Sequence, residues 1–236
     1  MKIGGLICEG KGKRIYETDD PSLLAVFFKD EAMAFHGLKR GRIIGKGEIN
    51  NEICCHLFAL LSEHGIPNHY VSKLDAKQSL VKRVEIIPFA LKVRNIVAGS
   101  LAKRIGYAEG TRLKNTVLEC TLKDEELDYP LINETHIRAM GLCTQEELAL
   151  IYGMAHQIND ILTAYLKDIG IELIDFKLEF GRLNGQIILA DEISPDTCRF
   201  WDARTHEPLD LDRFRRDLGN VEQGYQEVLH RLMGIS

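Results

Sequence analysis

The sequence predicts an α+β fold with a sheet in each of two lobes. Three features point there. The first third consists of short apolar segments separated by turn residues. The remainder alternates helical periodicities with strands. Before the last helix runs Leu173-Ile174-Asp175-Phe176-Lys177-Leu178-Glu179-Phe180-Gly181, in which apolar and charged residues alternate. Period-two alternation marks a strand with two different faces, here Asp175, Lys177 and Glu179 on one and Ile174, Phe176, Leu178 and Phe180 on the other.

The elements follow in order. Residues 6–8 and 14–16 read as short strands around Glu9-Gly10-Lys11-Gly12-Lys13, and 23–28 as a third strand after Asp19-Asp20-Pro21. A basic, glycine-rich segment, 41–47, leads into a helix over 46–64, with Ile49, Ile53, Leu57, Leu60 and Leu61 at helical spacing. Gly65 suits the left-handed position that ends a helix, and Pro67 follows. Strands are predicted over 79–84 and 89–97, parted by Glu85-Ile86-Ile87-Pro88. The pattern changes at this proline, so the lobes are expected to be residues 1–86, rich in β, and 87–236, of mixed α and β.

A short helix over 100–105 ends at Gly106. Asn133 and Thr135 precede a helical segment to Met140, closed by Gly141. Thr144-Gln145-Glu146-Glu147 is similar to a capping box and starts a helix to about residue 168. Ile151, Met154, Ala155, Ile158, Ile161, Leu162 and Tyr165 line one of its faces, and Gly170 ends it. After the charged strand, a Leu183-Asn184-Gly185-Gln186 turn leads to Ile187-Ile188-Leu189-Ala190 and then Asp191-Glu192. A last helix is predicted over about 211–233.

Composition narrows the function. A chain of 236 residues, 45% hydrophobic, suits one large domain or two modest ones sharing a cleft. A formal net charge of −5 argues against a general nucleic-acid binder, yet leaves room for a local basic pocket. Charges interrupt every apolar run, so no membrane span is expected, and the N-terminus lacks the apolar core of a signal peptide. Cys8, Cys54, Cys55, Cys120, Cys143 and Cys198 form no CxxC pair and no zinc spacing, which reads as reduced thiols in a cytoplasmic protein.

Several segments carry chemistry. Gly10-Lys11-Gly12-Lys13, between two strands, lacks the GxxxxGK[ST] of a Walker A loop. A glycine–lysine hairpin can still cover nucleotide phosphates, although a plain β-turn has the same pattern. Lys92 and Arg94 share a strand face, followed by Ala98-Gly99-Ser100 at a helix start, where backbone N–H groups and a hydroxyl can hold phosphate. A serine cap beside a surface arginine fits equally. Acid, base and acid on one strand, with Asp191-Glu192 ending the next, suggest a metal and a charged ligand. Glu192-Ile193-Ser194-Pro195-Asp196-Thr197-Cys198-Arg199-Phe200-Trp201-Asp202 is a loop rich in functional groups, or simply a well-capped one.

In this order, Glu9–Lys13, Val93-Arg94-Asn95 with Ala98-Gly99-Ser100, Asp175–Gly181 and Asp191–Arg199 resemble the SAICAR synthetase (phosphoribosylaminoimidazole-succinocarboxamide synthase) family. The likeness runs from about Leu6 to the last helix. It implies a two-lobed, ATP-grasp-like fold with ATP in the cleft, beneath a nucleotide-covering first lobe. It also implies a cytoplasmic ligase that uses ATP to join L-aspartate to the carboxylate of CAIR through an acyl phosphate, with a homodimeric assembly. Residue by residue, Lys11, Gly12, Lys13, Lys82, Val84 and Lys123 match ATP contacts. Arg94, Ser100, Asp175, Lys177, Asp196, Arg199 and Arg215 match the CAIR pocket, and Glu179 and Asp191 match Mg²⁺ ligands. Lys13, Lys177 and Asp175 are the implied catalytic groups.

The chain departs from the family pattern at Ala90, where glutamate is common, at Tyr129 before Pro130, where aspartate is common, and at His36, where asparagine or aspartate is usual. Two alternatives stand beside the ligase. A small-molecule kinase would want a base beside an acceptor alcohol and has less use for Arg94, Ser100, Lys177 and Arg199 together. An inactive binding homologue is suggested by Ala90 and Tyr129, but has no need of Lys13, Glu179 and Asp191. The metal assignment also constrains register. A two-residue Asn184-Gly185 turn would set Glu179 opposite Ala190 and put Asp191 on the apolar face. A shared metal therefore predicts an odd loop, such as three residues with Gly185 left-handed, or a bulge.

Overall fold

The computed structural model describes residues 1–34 and 37–234, so His36 lies outside the described residues. Its first sheet is antiparallel and five-stranded. It contains β1 (Ile3–Glu9), β2 (Lys13–Thr18), β3 (Leu23–Phe28), β6 (Tyr70–Lys73) and β7 (Gln78–Lys82), in the order β1-β2-β3-β7-β6. Two further strands, β4 (Glu31–Ala34) and β5 (Lys39–Arg42), pair apart from it. They fall partly in the segment expected only to lead into a helix. That helix, α1 (Lys46–Glu63), packs Ile53, Leu57, Phe58 and Leu61 into the core against β3 and β6. Gly65, at φ +79°, follows its end as expected.

The second sheet is built around β8 (Glu85–Ile96) and β11 (Ile171–Leu183). Its order is β10-β9-β8-β11-β12, with β9 (Arg112–Leu122), β10 (Leu131–Ile132) and β12 (Gln186–Ala190). β13 (Cys198–Asp202) pairs with the first half of β11, along the edge that β12 occupies in the second half. Two expectations need correction here. Residues 85–88 do not separate two strands but open β8, and Pro88 sits where the pairing register with β11 shifts between Glu179 and Gly181. A proline withholds one ladder donor, and such an irregularity accommodates it. Residues 198–202, read as loop, form β13.

Helix α2 (Ser100–Ile105) ends at Gly106 and α3 (Glu134–Ala139) starts at an Asn133 cap. α4 (Gln145–Asp168) begins with a full capping box: Glu147 N donates to Thr144 Oγ1, and Thr144 N donates back to the Glu147 carboxylate. It lays Ile151, Ala155, Ile158 and Leu162 on β11, where Phe176, Leu178 and Phe180 point into the same core. Ile174 does not join them. A bulge between Leu173 and Asp175 leaves it with Ile96, Ala98 and Trp201 in a separate cluster. The predicted last helix is broken into α5 (Asp212–Arg215) and α6 (Val221–Met233), because Asp217, Gly219 and Asn220 between them take left-handed backbone.

Candidate active site

The alternating strands give the second sheet one apolar face, under α4, and one charged face. On the charged face Ala90, Lys92 and Arg94 of β8 lie beside Glu119 and Thr121 of β9 and Asp175, Lys177 and Glu179 of β11. The register sets them in rows. Arg94 faces Asp175, Lys92 lies between Glu119 and Lys177, and Ala90 lies between Thr121 and Glu179. This grid floors a cleft of about 1130 Å³, whose other wall includes Glu9, Gly10, Lys11, Gly12, Lys13 and Lys29 from the first sheet. Ser100, Lys123, Asp191, Asp196, Arg199 and Arg215 also line it. Lys82 and Val84 are not among the lining residues. Lys82 ends β7 and donates from Nζ to the Asn68 carbonyl at 3.1 Å, and Val84 lies against Gly181.

The β11–β12 hairpin resolves the register question in an unexpected way. Its loop is the two-residue Asn184-Gly185, both at positive φ, and Glu179 does face Ala190. Neither an odd loop nor a bulge in this hairpin is present. Instead the strand stops at Ala190, and Asp191 takes left-handed backbone at φ +62°. That single rotation turns the carboxylate toward the charged face. Lys177 Nζ then donates to Glu179 Oε1 at 2.6 Å and to Asp191 Oδ2 at 2.9 Å. His69 holds the turn by donating from Nε2 to the Asp191 carbonyl at 3.0 Å. Burial draws His69 down to about 4, against the pull of Asp191 and helped by Lys13, so the ring is neutral and suited to that role.

Around this pair the charges are dense. Lys13 donates to Asp191 and lies 2.8 Å from Glu192. Burial opposes its charge, but Asp191 and Glu192 raise its pKa well above the usual lysine value. Asp191 is likewise buried, yet Lys13 and Lys177 hold it far below the usual carboxylate range. Lys123 donates to the other oxygen of Glu179. Among the described residues, no group of three or more His, Cys, Asp or Glu side chains is assembled to hold a metal. Two carboxylates are nonetheless the usual protein share for Mg²⁺, which keeps waters and takes phosphate oxygens. The donor set fits, and the Lys177 ammonium between Glu179 and Asp191 marks a place for positive charge.

The other end of the cleft is an arginine cluster. Arg94 donates to Glu119 at 2.6 Å, to Asp175 at 3.0 Å and to the Ser100 hydroxyl at 3.3 Å. Arg199 donates to Asp175 at 2.7 Å and to Asp212 at 2.8 Å, and Arg215 to Asp212 at 2.6 Å. Gly99, at φ +54°, lies so close to the Arg199 guanidinium that a Cβ there would collide with it. Asp196 accepts from Lys46 at 2.5 Å and from the Tyr225 hydroxyl at 2.7 Å, placing it as an organiser that joins α1 and α6 to the site. Tyr129 offers its ring to Lys11, whose Nζ lies 4.8 Å from the centroid.

Sequence reasoning missed Lys46, His69, Glu119, Asp212 and Tyr225. Lys46 and Tyr225 are fully buried, and the other three act through partners brought together only by the fold. A lysine within the first turn of an apolar helix was the one available signal.

Known proteins resemble this chain over nearly its whole length. A family model described as SAICAR synthetase matches residues 6–232. A phosphoribosylaminoimidazole-succinocarboxamide synthase of Clostridium kluyveri is 53% identical, covering 98% of this chain and 99% of its own length. One from Clostridium acetobutylicum is 52% identical, covering 99% and 100%. Among solved structures, the phosphoribosylaminoimidazole-succinocarboxamide synthase from Ehrlichia chaffeensis superimposes with a TM-score of 0.96 at 43% identity, covering 98% of this chain and 100% of that one. A SAICAR synthetase in complex with ADP gives 0.95 at 43% identity, with 98% of each chain covered.

Proposed function

The chain belongs to the SAICAR synthetase family, and from that premise we infer an ATP-dependent ligase of purine nucleotide biosynthesis. It joins L-aspartate to the carboxylate of CAIR, giving SAICAR, ADP and phosphate. The observation that carries this reading is the cleft in which the lysines of the Gly10–Lys13 hairpin meet Lys177, Glu179 and Asp191, with the arginine cluster adjoining. Nothing in the relatives described above supports a kinase or an inactive homologue.

A carboxylate is a poor electrophile, so the γ-phosphoryl of ATP is first transferred to it. The aspartate amine then attacks the acyl carbon, the C–N bond forms, the C–O bond to phosphate breaks and phosphate leaves. Every participant is anionic, and the protein's work is to position charges and neutralise them. We assign Lys11, Gly12 and Lys13 to covering the ATP phosphates, Lys123 to the nucleotide, and Lys82 with the backbone at Val84 to adenine, where the chain passes between the sheets. Arg94, Ser100, Asp196, Arg199 and Arg215 hold CAIR. Lys13 and Lys177 neutralise the phosphoryl in flight, and Asp175 fixes the arginines beside the acceptor. Glu179 and Asp191 would hold Mg²⁺, which supplies charge neutralisation at the phosphates. The same proposal includes two lobes divided near residue 86, a cytoplasmic location and a homodimer. Six free cysteines support the location, and the exposed Ile3, Leu6 and Ile7 of edge strand β1 support self-association.

The test is ADP release with CAIR, run with and without aspartate. Aspartate-dependent formation of the succinyl adduct is the expected result. ADP release with other acceptors and none with CAIR would overturn the assignment.

A further inference from the structure

Lys92 stands apart from the other cations of the cleft. Among the described lining residues, Lys11, Lys13, Lys29, Lys123 and Lys177 each meet a carboxylate, as do Arg94, Arg104, Arg199 and Arg215. Arg40 donates to the Gly37 carbonyl. Lys92 lines the same cleft, half-buried, and its ammonium makes no hydrogen bond or ion pair among the described residues. Its strand neighbours explain why. Across β11 it faces Lys177, a like charge, and across β9 it faces Glu119, which is already taken by Arg94 and Arg104. Two residues back on the same face is Ala90, which has no carboxylate to offer.

An unmatched ammonium in a partly desolvated wall costs stability unless something charged arrives. Its surroundings identify the arrival. Arg94, Arg199 and Arg215 lie near enough to repel it and Asp175 to attract it, and burial with these arginines brings it down to about 8. At this end of the cleft four arginines, Arg94, Arg104, Arg199 and Arg215, face three carboxylates, Glu119, Asp175 and Asp212. Asp210, behind Asp212, is pushed up to about 7 by burial and by Asp212, so it adds only part of a charge at neutral pH. Lys92 therefore brings the surplus to about one and a half positive charges, close to the complement of a phosphomonoester, which carries about −1.5 to −2 at pH 7.

We propose that Lys92 is a specificity-determining residue for the phosphate group of the nucleotide acceptor, contacting it together with Arg94 and Ser100. This rests on the ligase reading, which supplies CAIR as the acceptor. The charge balance separates this role from that of Lys177, whose partners Glu179 and Asp191 lie at the other end of the same strand row.

The experiment pairs steady-state kinetics with direct binding of ribose 5-phosphate by calorimetry, for the parent, Lys92→Met and Lys92→Arg. Lys92→Met should raise the KM for CAIR and the Kd for ribose 5-phosphate each about tenfold, a step typical of one charge-assisted contact. The KM values for ATP and aspartate and the value of kcat should stay within about twofold, since one partner only is lost. Lys92→Arg should restore most of the affinity. Melting of Lys92→Met should occur no lower than in the parent, because an unmatched charge has been removed. Unchanged affinity for ribose 5-phosphate in Lys92→Met, or a rise confined to the KM for aspartate or ATP, would overturn the proposal. If the parent forms no aspartate-dependent adduct, the ligase reading fails, while the ribose 5-phosphate titration still decides the role of Lys92.

Discussion

Asp191 shows how much of the site depends on one backbone rotation. Its αL conformation moves the carboxylate from the apolar face, where strand register alone would leave it, to the face of Glu179. Asparagine tolerates αL about as well as aspartate, whereas a residue with no polar side chain does not. Asp191→Asn should therefore keep the fold and lose most turnover. Asp191→Ala should lose turnover and, beyond what Asp191→Asn loses with the ion pair, about 1 kcal/mol more stability in a denaturant titration. An Asn variant as active as the parent would remove this carboxylate from the chemistry. Glu179→Ala is the companion change, and ADP release should vanish while the circular dichroism spectrum is retained. Lys13 tests the same ion cluster from the other side. Lys13→Met leaves the buried Asp191 and Glu192 without their shared partner, which should cost about 3 kcal/mol in chemical denaturation, as breaking a buried pair does.

Among the elements, α4 and its cap were legible because both signals are local. The capping box and the apolar face each lie within a few turns of the chain. Glu147 does double duty, since Arg182 of β11 donates to both of its oxygens, at 2.6 and 2.8 Å. That pairing, against some burial and with the Thr144 N–H, draws Glu147 from its usual 4.5 down to about 2. A carboxylate depressed in the folded state adds stability that is complete above pH 4.5 and is lost as pH falls from 4.5 through about 2. Glu147→Gln should thus lower the melting temperature at neutral pH and flatten the acid limb over that window, and an unchanged limb would rule the pairing out as a stabiliser. Thr144→Ala should cost about 1 kcal/mol. Elements whose signal is not local were missed. β9 is interrupted by Lys114 and Asn115 and shows clear alternation only toward its end, and β13 is five residues that gain meaning from the first half of β11. The break before α6 was readable after all, because Asp217-Leu218-Gly219-Asn220 is a turn composition that the apolar spacing on either side concealed. For the site, Asp175, Lys177 and Glu179 were legible from strand parity alone, while the left-handed turn at Asp191 was not, because it depends on His69 from another part of the chain.

At the scale of the whole molecule, the proposed site requires the ion pairs of the cleft to exchange partners. Lys177 bridges Glu179 and Asp191, Lys13 is bound to Asp191 and Glu192, and Lys123 is bound to Glu179. These lysines are the charges that phosphates would need, and these carboxylates are the oxygens that Mg²⁺ would need. If both bind, each lysine trades a carboxylate for a phosphate at little net cost, and the two sheets become linked through a shared ligand. Nucleotide should then stabilise the entire chain rather than one lobe. At about one hundred times its Kd, a ligand specific to the folded state adds roughly 2.7 kcal/mol. For a chain of this size that is a rise of about 5–10 °C in melting temperature. The exchange further predicts that most of the rise with ADP requires Mg²⁺, and that chelation reverses it. In a Glu179→Gln, Asp191→Asn double variant, Lys123 and Lys177 are already released while Lys13 keeps Glu192, so ADP alone should bind at least as well as in the parent while the Mg²⁺-dependent increment disappears. An increment of the same size in the double variant would place the metal elsewhere, and the alternating face of β11 would then serve the phosphates through Lys177 alone.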